Sequence, residues 1–115
     1  MRNCLLFWVV SILMVSACAT DEEPSAGGAV IKVDCGAATP VRTITAPGNR
    51  FAPDVATVAP GDVVRFEMPG AHNAVSDDGL FEVDFGATAC LRFDQPGTYG
   101  FLCEPHRFRG SIVVQ

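Results

Sequence analysis

Only two histidines, His72 and His106, occur in the 115 residues, and after Met14 the chain holds a single methionine, Met68. Basic charge is also short. Eight Lys and Arg stand against thirteen Asp and Glu, a formal net charge of −5, and a nucleic-acid binder needs a basic face to displace counterions from phosphates, so that class is set aside. No stretch has sustained helical periodicity, which leaves an all-β reading. The longest apolar run, Leu5 to Val15, is too short for a membrane span. No serine or asparagine constellation completes a hydrolase around Cys103 and His106, so the chain reads as a non-enzyme. Internal repeats and extended low-complexity regions are absent as well.

What is present has globular composition, 49% hydrophobic and 18% charged, with room for one domain of about 80 to 100 residues. The run Leu5 to Val15 after Met1-Arg-Asn has the form of a secretory h-region, so residues 1–17 read as a signal peptide. Val15-Ser16-Ala17-Cys18 is similar to the lipobox of bacterial lipoproteins, where Cys18 is acylated; Ala17-Cys18-Ala19 also fits plain signal cleavage. Residues 18–28 are small, acidic and glycine-rich, a flexible tether that makes more sense behind a lipid anchor than in a free protein. The expectation is a lipidated Cys18 in a bacterial or archaeal envelope, outside the cytoplasm, and a folded domain over residues 29–115.

From Ala29 the pattern turns to short β-rich runs split by Gly, Pro, Asn and Asp. Val41–Thr45, Val55–Val58, Val63–Met68, Thr88–Phe93, Thr98–Cys103 and Gly110–Gln115 read as strands. Val30–Val33 is a strand or an ordered lead-in, and Leu80–Phe85 a loop or a short strand. Alternation in Val63–Met68 buries Val64, Phe66 and Met68 or the opposite set. About seven or eight strands with turns at this spacing fit a two-sheet Greek-key β-sandwich. Cys4 and Cys18 belong to the targeting segment, which leaves Cys35, Cys90 and Cys103, a pair plus one. In an oxidising compartment Cys35 and Cys90 can bridge; the alternative is that either is a small buried apolar residue, since spacing alone fixes no geometry.

The chemistry gathers in Cys103-Glu-Pro-His106. A thiolate and an imidazole on one tight loop suit a soft or borderline metal, and a third ligand would complete a trigonal His₂Cys site. Pro105 lacks an N–H and restricts Glu104 to extended backbone, so the loop has few shapes. Pro69 and Gly70 break the preceding strand just before His72-Asn73, which puts that histidine at a strand end, where loops gather ligands. Taken singly, each residue has a plainer reading: His72 a polar loop residue, Cys103 a buried apolar cysteine, Cys-x-x-His half a zinc site.

Together, Pro96-Gly97-Thr98-Tyr99, Cys103-x-Pro105-His106 and the upstream Gly70-Ala71-His72-Asn73 resemble the small blue-copper proteins, the cupredoxin family of plastocyanin, amicyanin, pseudoazurin and halocyanin. The resemblance covers roughly residues 41–115. It implies a Greek-key sandwich and one type 1 copper ion held by His72, Cys103 and His106. It implies further that Asn73 hydrogen-bonds across to the ligand loop and that Tyr99 anchors the strand at a tyrosine corner. The implied role is that of a monomeric one-electron carrier between redox protein partners. A copper carrier or sensor, or a lipoprotein domain that has lost the metal, remain the alternatives. One departure stands out. The family's loop runs Cys-x-Pro-His-Pro-Phe-Met-Arg-Gly, whereas here Cys103-Glu-Pro-His106-Arg-Phe108-Arg109-Gly110 lacks the methionine and is one residue short. That leaves Phe108, the Ala71 carbonyl or a water at the axial position, with Met68 poorly placed to substitute.

Overall fold

The computed structural model describes residues 29–115, and in that span β-branched and aromatic runs have become nine strands. They are β1 (Val30–Val33), β2 (Arg42–Thr45), β3 (Val55–Val58), β4 (Asp62–Glu67), β5 (Ala74–Ser76), β6 (Glu82–Val83), β7 (Thr88–Phe93), β8 (Gly97–Leu102) and β9 (Arg109–Val114). The strands form a four-stranded sheet in the order β1-β7-β4-β2 and a five-stranded sheet in the order β3-β9-β8-β5-β6. The chain leaves β4 for β5 and β6 in the other sheet and returns as β7, antiparallel beside β4. Such an over-and-back connection is what makes a sandwich a Greek key. Nine strands exceed the seven or eight expected. One reason is β5 with β6, which pair with each other although the first is too short for its alternation to stand out and the second lies in Leu80–Phe85, readable as a loop or a short strand. The other is β1, which is no mere lead-in: it pairs with β7 from Val30↔Phe93 to Val33↔Cys90.

The core lies between the sheets and follows the period of two. Val64, Phe66 and Met68 are buried, so the first of the two possible faces of that run is the inner one. Phe101 on β8 is central, meeting Phe51 edge-on at 4.8 Å and Phe66 at 5.3 Å between ring centroids, the offset geometry aromatic quadrupoles prefer. Gly110 on β9 is the small residue that admits this ring. A Cβ there would stand 2.7 Å from Phe101 Cζ and 3.1 Å from the Asp54 carbonyl oxygen, and neither a packed ring nor backbone gives way easily. Gly110→Ala is therefore expected to destabilise by about 1 to 3 kcal/mol, read as a lower urea midpoint with an unchanged slope.

Tyr99 closes the turn between β7 and β8 by donating its hydroxyl to the Gln95 carbonyl at 2.7 Å, four residues back, while its ring packs on Phe93. Burial, and then the nearby Asp78 carboxylate, raise the phenol's pKa. Because it is the chain's single tyrosine, phenolate absorbance should report it directly, titrating above the free value of about 10. A raised folded pKa means the folded state holds this proton more tightly. Its stabilisation is therefore complete below the unfolded value and lost as pH rises through the folded one. Titration at or below the value in urea would contradict this.

Candidate metal centre

Strand register brings the two ligand-bearing segments together. β5 runs antiparallel to β8 with Val75 opposite Leu102, and continuing that register by two places sets Asn73 opposite Glu104. His72 precedes them in a turn closed by its own N–H to the Pro69 carbonyl at 3.2 Å. On the facing side β8 ends at Leu102, and the chain loops through Cys103 to Phe108 before β9. Two hydrogen bonds on Cys103 close that loop: its N–H donates to the Phe108 carbonyl at 3.0 Å, and its carbonyl accepts from the Arg107 N–H at 2.7 Å. Arg107 has φ of 67°, a left-handed conformation uncommon outside glycine, and it reverses the chain after His106.

This places three donor atoms at the corners of a triangle. His72 Nδ1 and His106 Nδ1 are 3.2 Å apart, and Cys103 Sγ lies 3.6 Å from the first and 3.7 Å from the second. A point in that plane lies about 2.0 Å from all three, the length of a bond from a transition metal to imidazole nitrogen and only slightly short for thiolate. Two Nδ1 lone pairs this close repel unless a proton or cation lies between them, so the convergence itself fits a metal. Among the described residues these three form the group of side chains that could hold an ion. One thiolate with two imidazoles is a set that copper favours. Cys103 is fully buried, His72 is 6% exposed, and His106 lies at the surface.

Asn73, 1% exposed, ties the two segments at two points. Its Oδ1 accepts the Glu104 N–H at 2.9 Å, and its Nδ2 donates to Glu104 Oε1 at 3.3 Å. The carboxylate of Glu104 was not singled out from sequence, although a buried amide has a donor as well as an acceptor to satisfy, and that requirement was a usable signal. Asn73→Ala would leave the Glu104 N–H unpaired and is expected to cost about 1 to 3 kcal/mol. By freeing the loop it should also weaken copper binding by about tenfold or more. Denaturant unfolding of the metal-free protein and chelator competition read these separately, and unchanged values in both would contradict the clamp.

Phe108 is half-buried against the core. Its ring meets His72 edge-on at 5.0 Å, lies near-parallel to His106 at 6.3 Å, and rests edge-on against Phe51 at 4.7 Å. Phe51, 2% exposed, supports the Phe108 ring through a contact between residues far apart in sequence. Met68 lines a separate groove with Thr45, Ala46, Pro47, Glu67 and Pro69, and Arg109 is paired with Asp77. Cys35 and Cys90 are joined by a disulfide, which leaves Cys103 as the free thiol among the described residues. Cys18 and the tether lie outside the described residues.

Comparison with known proteins gives concordant matches. A family profile described as copper binding proteins, plastocyanin/azurin family, matches residues 41–115. The pseudoazurin of Methylorubrum extorquens is 29% identical over 72 residues, covering 56% of this chain and 49% of that protein, so the chain spans about half the length of that relative. The plastocyanin of Scenedesmus fuscus is 33% identical over 86 residues, covering 56% of this chain and 86% of that one. Among solved structures, an oxidized proline-to-glycine variant of amicyanin superposes with a TM-score of 0.60 at 21% identity, covering 76% of this chain and 99% of that one, and this likeness is one of fold.

Proposed function

Because the chain belongs to the plastocyanin/azurin family of copper-binding proteins, we propose that it carries single electrons by way of one copper ion held by His72, Cys103 and His106. The observation that carries this reading is the convergence of Cys103 Sγ and the two Nδ1 atoms within 3.7 Å of one another. Copper bound there would supply a one-electron Cu(II)/Cu(I) couple. The protein's part is to hold the donors still. His72 and Cys103 are buried on opposing segments, Asn73 locks those segments together, and Pro105 with the left-handed Arg107 limits what the loop can do. Ligands that cannot move need little rearrangement when the charge at the site changes. His106 is the exposed ligand, and its outer edge is the route by which an electron would reach a partner.

The partners in this reading are redox proteins that meet a single copy of the chain at the His106 end. The site of action is outside the cytoplasm, on a membrane to which Cys18 is lipid-anchored. Support for the anchor comes from Val15-Ser16-Ala17-Cys18 and the acidic, glycine-rich residues that follow. Voltammetry of the copper-loaded protein tests the carrier role. A reversible one-electron wave is expected; copper uptake without such a wave would make the protein a copper carrier or sensor, and no uptake a structural domain. For the anchor, mass spectrometry of membrane-fraction protein should find an acylated Cys18, with Cys18→Ala releasing the protein from the membrane.

A further inference from the structure

Three donors converge from His72, Cys103 and His106, and the aromatic ring packed on both imidazoles is a hydrocarbon. The Phe108 ring meets His72 at 83° and 5.0 Å, and lies 25° from the plane of His106 at 6.3 Å. It cannot easily swing away. Its carbonyl is held by the Cys103 N–H at 3.0 Å, the left-handed turn at Arg107 directs it back toward the site, and buried Phe51 backs the ring at 4.7 Å. A thioether and a carboxylate that could bring a fourth donor are engaged elsewhere. Met68, the single methionine among the described residues, lines another groove, and the Glu104 carboxylate accepts from Asn73 Nδ2 at 3.3 Å.

We infer that the Phe108 ring fills the place of a fourth ligand, so that the site holds a three-coordinate metal and selects cuprous copper over zinc. This rests on the copper reading above. Zinc is bound almost always by four ligands in a tetrahedron, with water completing the set where the protein supplies three. An aromatic ring offers no lone pair for that place and excludes the water that would take it. Cuprous copper is softer, is satisfied by thiolate and imidazole, and tolerates the lower coordination number. Phe108 is thus a specificity-determining residue that acts by withholding a donor.

The test compares wild-type protein with Phe108→Leu, Phe108→Gln and Phe108→Ala, measuring Cu(I) and Zn(II) affinities on metal-free samples by competition with chromophoric chelators. Phe108→Ala admits water and Phe108→Gln brings an amide oxygen, donors harder than a thioether and better suited to zinc than to cuprous copper, so each should raise Zn(II) affinity relative to Cu(I) by about tenfold or more. Phe108→Leu keeps an apolar cover and should leave the ratio within about threefold of wild type. Azide should shift the visible spectrum of the Cu(II) form in the alanine variant and not in wild type. Ratios for the alanine and glutamine variants that both stay near wild type overturn the lid while leaving the copper site standing, as do a leucine variant that behaves like alanine or an azide shift in wild type. A wild type that binds no copper overturns the copper reading and the lid with it. If alanine loosens the loop enough to unfold it, the bulkier glutamine and leucine variants still decide.

Discussion

Cys103→Ala is expected to abolish the intense visible absorption of the Cu(II) protein while leaving the β-sandwich folded. A strong visible band from cupric protein arises from charge transfer between a thiolate and the metal, and Cys103 is the free thiol among the described residues. Without sulfur, the remaining imidazoles of His72 and His106 form a site with weak colour, low affinity and no reason to stay trigonal. The fold should survive because Cys103 sits after β8 rather than within it. The Cys103 N–H and carbonyl that close the ligand loop are backbone groups and remain. Losing one buried sulfur costs a small cavity, about 1 to 2 kcal/mol at most. Far-UV circular dichroism matching wild type, together with loss of the band, is the expected pair of results. A variant that keeps the band would place the thiolate elsewhere.

The second large effect concerns stability. The Cys35–Cys90 bridge closes a loop with a sequence separation of 55, and the closure entropy it removes from the unfolded chain amounts to about 4 kcal/mol. Against a typical domain stability of about 5 to 15 kcal/mol, that is a large share. It also fixes the 3₁₀ turn Cys35–Ala37 to β7, keeping β1 on the edge of the four-stranded sheet. A Cys35→Ala, Cys90→Ala double variant should lose about 2 to 5 kcal/mol in urea unfolding. It should also expose β1 to proteolysis before the rest of the domain. Thiol counting on unfolded, unreduced, metal-free protein cut after Cys18 should find one free thiol, and three would remove the basis of the prediction.

Much of the sandwich was legible because its strands are short β-branched runs bounded by Gly, Pro and Asp. Val55–Val58 and Thr88–Phe93 lie where the alternation put them. The same logic left Leu80–Phe85 open between loop and short strand, because Glu82–Val83 is a strand only through its pairing with Ala74 and Val75. His72, Cys103 and His106 were legible as a set through resemblance and loop spacing. What packs around them was not. The contacts of Phe108 with Phe51 and His72, and of Asn73 with the Glu104 carboxylate, join residues more than thirty positions apart. No periodicity in the chain encodes such contacts; the β5–β8 register and the left-handed backbone at Arg107 create them.

The central claim is that His72, Cys103 and His106 bind copper that changes oxidation state by one electron without leaving. A redox titration followed by visible absorption tests it most directly. The band of the Cu(II) protein should vanish on addition of one electron equivalent per chain and return in full on reoxidation, with the copper still bound throughout. A Cu(II) protein that is colourless, or that releases its metal on reduction, would contradict the account.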